Sequence, residues 1–316
     1  MTETIPEITL NACHLMRSFG KQQVIHDLSL QLRRGEVLGL LGHNGAGKTT
    51  TLQMLTGCLQ PDGGEACRIE ICGVDLLKKP LQAKAYLGYL PENPPLYREH
   101  SVDDYLLFAA RLRGMTAAAA GEALKITKLR CGLETAGKKI IGTLSKGYQQ
   151  RIGIAQAIIH SPAVIVLDEP TVGLDPAQIR DIRALIRELG SSVILSTHML
   201  GEVQSVCDRV EIMQRGKLIY SDTSAHMQMR ESATGFLIDL RNPPPLSELQ
   251  AIAGVQSVEA LSAHQFRVLH ALDSNPAGAL LAQAEKHGWQ LEQLTPLKAT
   301  LEDIYVRITE AEGNTP

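Results

Sequence analysis

The chain has 316 residues, 44% of them hydrophobic, with 31 basic against 34 acidic side chains and a formal charge of −3. That length suits one large domain and a smaller one, and the near-balanced charge, with no long Lys/Arg block, argues against a broad nucleic-acid footprint. No apolar run approaches the ~20 residues that span a bilayer, the start "MTETIPEITL" lacks the features of a secretory leader, and the six cysteines have neither CxxC nor zinc-finger spacing, so a cytosolic chain with free thiols is expected.

Patchy strands at 8–15 and 24–32 open the chain, with Phe19-Gly20 between them. "GEVLGLLGHNGAGKTTTLQMLTG" then reads as strand, glycine-rich loop and helix, and Val37–Leu41 is a short apolar run of the kind buried on both faces. "QPDGGE" at 60–65 is a turn by composition. From about Pro80 to Leu144 the pattern turns helical, most clearly in "VDDYLLFAARLRG". "AVIVLDEP" at 163–170 is a second buried strand, and 175–189 a helix with Pro176 in its first turn. "SVILSTH" at 192–198 is a third buried strand, followed by a helix and by a hairpin over 209–222 turning at Arg215-Gly216. Strands alternating with helices indicate an α/β domain with a mainly parallel sheet.

The pattern changes near Thr223. A helix is expected there, then strands at 235–240, 255–261, 265–271 and 289–294, a "NPPP" breaker at 242–245, and helices near 276–287 and 299–309. This is a small α+β pattern of ferredoxin-like kind. The expected domains are 1–222, with a helical part over about 80–150, and 223–316.

"GHNGAGKT" at 42–49 fits G-x-x-x-x-G-K-[ST] in a strand-to-helix context. Gly42, Gly45 and Gly47 let the backbone fold round phosphates; His43, Asn44, Ala46 and the following Thr50 complete the loop and helix start, whose N–H groups face an anion. Lys48 is placed to reach β- and γ-phosphates, and Thr49 to offer its hydroxyl to Mg²⁺. Asp168 and Glu169 lie beyond a buried strand, at the edge where parallel sheets bind ligands. Asp168 is positioned for the metal and Glu169 for the attacking water; the plainer alternative is a solvated strand end. His198 ends another buried strand, and contact with the γ-phosphate competes there with an ordinary core histidine. Phe19 is a candidate to stack on adenine, against plain packing.

The order P-loop, "LSKGYQQR" (144–151), "VIVLDEPTVGLDP", "STH" resembles the nucleotide-binding subunit of an ATP-binding-cassette (ABC) transporter over about residues 8–222. The resemblance implies an ATPase with a P-loop cassette fold and Mg²⁺, in which two subunits pair head to tail. Ser145, Lys146, Gly147 and Tyr148 would then form the signature loop that closes on the partner subunit's ATP, and Asp175 the acid that signals across the dimer. Two positions depart from the family. The common LSGGQ has Lys146 and Tyr148 here, and the usual Q-loop glutamine is Glu92, which adds negative charge beside the triphosphate and is tolerable if Mg²⁺ or a basic group offsets it. "LPENPPLY" and the closing "LTPLKATLEDIYVRIT" resemble a subgroup that works with drug-, polysaccharide- and gliding-type export permeases. The resemblance therefore implies a homodimer, or a pair with a similar subunit, docked through 80–144 beneath a separately encoded permease at the cytoplasmic face of the membrane. A soluble ABC ATPase acting on ribosomes or DNA is the alternative, disfavoured by a single P-loop and no sustained heptads. The "LSKG" stretch and the lack of N-K-x-D disfavour a kinase or GTPase.

Overall fold

The structure is a computed structural model that describes residues 5–223, 235–270 and 274–297. The chain divides into two compact units, residues 1–224 and 225–316. The helices expected just after Thr223 and near 299–309 lie outside the described residues.

In the first unit, β1 (Ile8–Phe19) and β2 (Gln22–Arg33) form an antiparallel hairpin longer than the sequence suggests. The reason is local: His14 and Asp27 both adopt positive φ and the ladder shifts register around them, which interrupts the two-residue period. After β3 (Val37–Leu41) and α1 (Lys48–Leu55), short strands β4 (Arg68–Ile71) and β5 (Val74–Asp75) extend the hairpin to a four-stranded sheet of order β2-β1-β4-β5.

The region read as helical contains α2 (Pro80–Ala85), α3 (Val102–Leu112), α4 (Ala117–Cys131) and α5 (Lys146–Ile158), and also one strand, β6 (Leu87–Leu90). Ser101 and Thr116 cap α3 and α4 with their side chains, and Gly132 ends α4 in the left-handed conformation. The chain continues through β7 (Val164–Asp168), α6 (Pro176–Glu188), β8 (Ser192–Thr197), α7 (Leu200–Val206), β9 (Arg209–Gln214) and β10 (Lys217–Thr223).

The main sheet has the order β10-β9-β3-β8-β7-β6. It is parallel from β9 to β6, with β10 an antiparallel edge. Every residue of β3, β7 and β8 is buried, which is why each reads as a continuous apolar run rather than an alternation. One core joins both sheets to α1, with Leu10, Leu28, Leu38, Leu52, Val166 and Ile194 among its members. The parallel arrangement brings the carboxyl ends of β3, β6, β7 and β8 to a single edge.

The second unit runs β11 (Gly235–Leu240), α8 (Leu246–Gln250), β12 (Val255–Ala260), β13 (Gln265–His270), α9 (Ala277–His287), β14 (Leu291–Leu297). Its antiparallel sheet has the order β12-β13-β11-β14, the ferredoxin-like arrangement. Helix α8 follows directly on the proline run, with Pro245 at its N-cap. Phe236, Ile238, Phe266 and Val268 of the sheet pack with Leu249, Leu280 and Trp289 in a separate core.

Candidate functional site

The loop after β3 wraps its own lysine. Lys48 Nζ donates to the Gly42 carbonyl at 2.7 Å and to the His43 carbonyl at 3.3 Å, although only 5% of the residue is exposed. Gly47, at φ 107°, is the N-cap of α1, and a Cβ there would fall 2.7 Å from Ile25 Cδ1 and 2.8 Å from Met213 Cε. The glycine thus answers both to a positive φ and to a close approach. The β9–β10 turn braces the loop from behind: Gly216 N–H donates to the Ala46 carbonyl at 2.9 Å, and His26 N–H to the Gly216 carbonyl at 2.9 Å.

In front of the loop lies a cleft of about 400 Å³, lined by His43, Asn44, Gly45, Gly47, Lys48, Thr49 and Thr50 of the loop and helix start and by Val24, Glu92, Glu169, Val172 and His198. Glu169 sits at φ 47°, outside the regions most non-glycine residues adopt. Its N–H lies within reach of the Ser196 hydroxyl (3.1 Å) and carbonyl (3.2 Å). Its carboxylate joins two groups: Oε1 is 3.4 Å from Lys48 Nζ and Oε2 is 2.9 Å from His198 Nδ1. Holding that contact as a hydrogen bond puts the ring proton on Nδ1. Asp168 is buried, and its Oδ1 accepts from the Ser196 hydroxyl at 2.5 Å. Behind it, the Tyr89 hydroxyl is buried without a hydrogen-bond partner in the structure, and burial together with the Asp168 charge raises its pKa.

Several expected residues stand apart from this cleft. Ser145, Lys146, Gly147, Tyr148, Asp175 and Phe19 do not line it, and neither do Asp168 or the loop residues Gly42 and Ala46. Ser145 caps α5, accepting from Tyr148 N–H at 3.5 Å, and Asp175 caps α6, accepting from Ala177 and Gln178 N–H at 3.0 and 2.9 Å. Lys146 Nζ lies across Gly173, and Gly147 packs against the Gln178 side chain, so the start of α5 rests on the loop and first turn of α6. Phe19 is 49% exposed at the end of β1, with the Arg17 guanidinium 5.0 Å from its ring centroid.

Sequence reasoning missed Ser196, Thr171, Thr197, Glu202 and Tyr89. Ser196 and Thr197 stood inside the motif "STH" and were read as strand. Glu202 offered only an acid beside the apolar Val203 and Val206, which the structure buries with it.

The arrangement is a phosphate cradle with a cation, two carboxylates and an imidazole at its mouth, suited to phosphoryl transfer. Residues 25–172 match the family model described as ABC transporter. The chain is 42% identical to an uncharacterized ABC transporter ATP-binding protein, YhcH, of Bacillus subtilis (strain 168), over 62% of this chain and 64% of that protein. It is 30% identical to the Nod factor export ATP-binding protein I of Paraburkholderia xenovorans (strain LB400), over 98% of this chain and 99% of that protein. Among solved structures, an ATP-binding subunit of an ABC transporter superposes with a TM-score of 0.63 at 29% identity, covering 70% of this chain and 92% of that one.

Proposed function

The chain belongs to the ABC transporter family and is an ATP-hydrolysing subunit, and from that premise we propose the following division of labour. Lys48 and the N–H groups of residues 43–50 hold the β- and γ-phosphates. Glu169 is the general base for the attacking water. His198 orients that base and meets the γ-phosphate. Asp175 and the signature residues Ser145, Lys146, Gly147 and Tyr148 act on the nucleotide of a second copy, and Phe19 is the adenine platform. The Lys48–Glu169–His198 contact inside the cradle carries this reading, because it sets an acid, a cation and an imidazole within one hydrogen bond or ion pair of each other.

The residues fit Mg²⁺. Thr49 and Glu92 line the cleft with hard oxygen donors, the buried Asp168 beside Glu169 keeps Oδ2 clear of Ser196, and Glu169 Oε1 is buried without a hydrogen bond, 3.4 Å from Lys48 Nζ. No cluster among the described residues makes a cation cage alone, as expected for an ion held by one or two carboxylates together with phosphates. When bound, Mg²⁺ neutralises charge on the phosphates.

The export direction is drawn from the similarity to the Nod factor export ATP-binding protein of Paraburkholderia. No helix among the described residues is long and apolar enough to cross a membrane, which fits a peripheral subunit beneath a separately encoded permease at the cytoplasmic face.

Glu169→Gln tests the base. ATP binding is retained while turnover falls by ~10²–10⁴, the usual worth of a general base, and an ATP-bound dimer accumulates. Near-normal ATPase activity in this variant would remove Glu169 from the mechanism.

A further inference from the structure

The loops after β7 and β8 carry the carboxylate and the imidazole of the cleft, and one buried acid touches both loops. Glu202, in the first turn of α7, is 1% exposed. One of its oxygens accepts from the hydroxyl of Thr171, two residues past Glu169. The other accepts from Thr197, the residue before His198, at 2.6 Å. The three ordinary duties of such an acid are vacant. It caps nothing, since α7 has no side-chain cap. It has no ion pair among the described residues. It does not line the cleft. A buried carboxylate is costly unless its lone pairs are taken, and here two threonines take them.

We propose that Glu202 is a positioning residue for ATP hydrolysis, its carboxylate tying Thr171 to Thr197 so that His198 stays on Glu169. The inference rests on the reading of Glu169 and His198 as hydrolytic groups.

Two features make such a tie necessary. Glu169 holds a left-handed backbone that persists only where the surroundings over-determine it. Ser196 secures its N–H side, and Pro170 cannot donate, so Thr171 gives the first side-chain anchor downstream. The His198 ring is 44% exposed and takes Glu169 as its partner, so its place depends on where the β8 loop puts it. The Thr197 oxygen accepts Met199 N–H at 3.0 Å, which leaves its proton for Glu202. Each carboxylate oxygen therefore receives a hydroxyl proton. An amide in the same place keeps the shape but turns one acceptor into a donor. One hydroxyl then has to reverse its proton, and the tie loosens without leaving a hole.

The test compares Glu202→Gln with the wild-type full chain, reconstituted with its permease, for ATP turnover, ATP affinity by a fluorescent analogue, and melting temperature. We expect kcat to fall about 10- to 100-fold, the scale of an ångström of misplacement. ATP affinity should stay within about twofold of wild type, because binding needs only the cradle. Thr197→Val, which removes the hydroxyl and keeps the volume, should give the same split between kcat and affinity, and it serves if Glu202→Gln folds poorly. Adding Glu202→Gln to His198→Ala should cost no more than His198→Ala alone, because both act through one contact. Wild-type kcat in Glu202→Gln or in Thr197→Val, or losses that multiply in the double variant, would overturn the proposal. Glu169→Gln in the same assay judges the hydrolytic reading independently: retained turnover there counts against that reading, whichever way Glu202 behaves.

Discussion

Lys48 and Glu169 form an ion pair inside the cradle. The ammonium holds two loop carbonyls and lies 3.4 Å from the carboxylate, and both side chains are nearly buried. On the proposed reading, phosphates entering the loop would draw on that ammonium and free Glu169 to act on water, with His198 still 2.9 Å from its other oxygen. Glu92 lines the same cleft and is exposed. We predict that Glu92→Gln raises the Mg²⁺ concentration for half-maximal turnover by about tenfold, within the range seen when groups around a metal are altered, at little change in fold. An unchanged magnesium titration would leave Glu92 as a solvated loop acid. The residues of the cradle were legible in the sequence because glycine, lysine and hydroxyl spacing is fixed by the backbone geometry of the loop itself. Ser196 and Glu202 were not, because Asp168, the partner of Ser196, and Thr171, a partner of Glu202, lie 28 and 31 residues away along the chain. The register of β7 beside β8 sets Asp168 opposite Ser196 and so brings the chain after each strand to the same edge.

At the level of elements, the parallel strands were readable from their apolar runs, and the hairpin over 209–222 from Arg215-Gly216, both of which adopt positive φ. Strands β4 and β5 were unread: four and two residues long, they have too few positions to show a period. What the sequence hides most completely is how the sheets are tied. Arg209 at the start of β9 bonds Glu36 Oε1 at 2.7 Å, Glu211 Oε1 at 2.5 Å and the Gln31 carbonyl of β2 at 2.5 Å. One guanidinium thus joins the approach to β3, strand β9 and the hairpin. Burial pushes the Glu36 carboxyl up, but hydrogen bonds from Arg209 and the Arg33 N–H outweigh it and leave its pKa below the usual value. Burial keeps Glu211 above the usual value, with Arg209 offsetting only part. Arg209→Ala strands two buried acids, and we expect a loss of about 3–5 kcal/mol by urea unfolding at neutral pH. The sign of its pH dependence follows from linkage. In wild type, the depressed Glu36 gives stability that is present above its unfolded pKa and lost as pH falls through the folded one. In the variant both acids are raised, so the folded form holds more protons than the unfolded one, and stability falls as pH rises. The deficit should therefore be smaller at pH 5 than at pH 8. An equal deficit at both would mean that Arg209 acts by packing alone.

At the scale of the whole molecule, the two units have separate cores, Leu38 and Val166 in one and Phe236 and Val268 in the other. A chain ending at Thr223 should therefore fold and bind ATP, and aggregation or lost nucleotide binding would show that the second unit completes the first. The larger question is why one chain carries two phosphate-facing elements. The cradle cleft is built without the signature residues, and the start of α5 rests on Gly173 and Gln178 instead. A helix start favours an anion, and on the proposed reading the cradle takes this chain's own phosphates, so the ligand of the second element would belong to another copy. Ser145→Arg places a bulky cation where a hydroxyl would meet that copy's γ-phosphate. ATP affinity at low protein concentration should stay near wild type, because Lys48 and its loop act without help. ATP-driven dimerisation and turnover should both collapse. A mixed dimer of Lys48→Ala with Ser145→Arg concentrates both lesions in one composite site and leaves the other whole, so any activity it recovers measures how independently the two sites fire. The affinity of the single variant decides the arrangement: if Ser145→Arg weakens ATP binding by the isolated chain as much as Lys48→Ala does, the signature serves its own nucleotide, and the head-to-tail pairing is wrong.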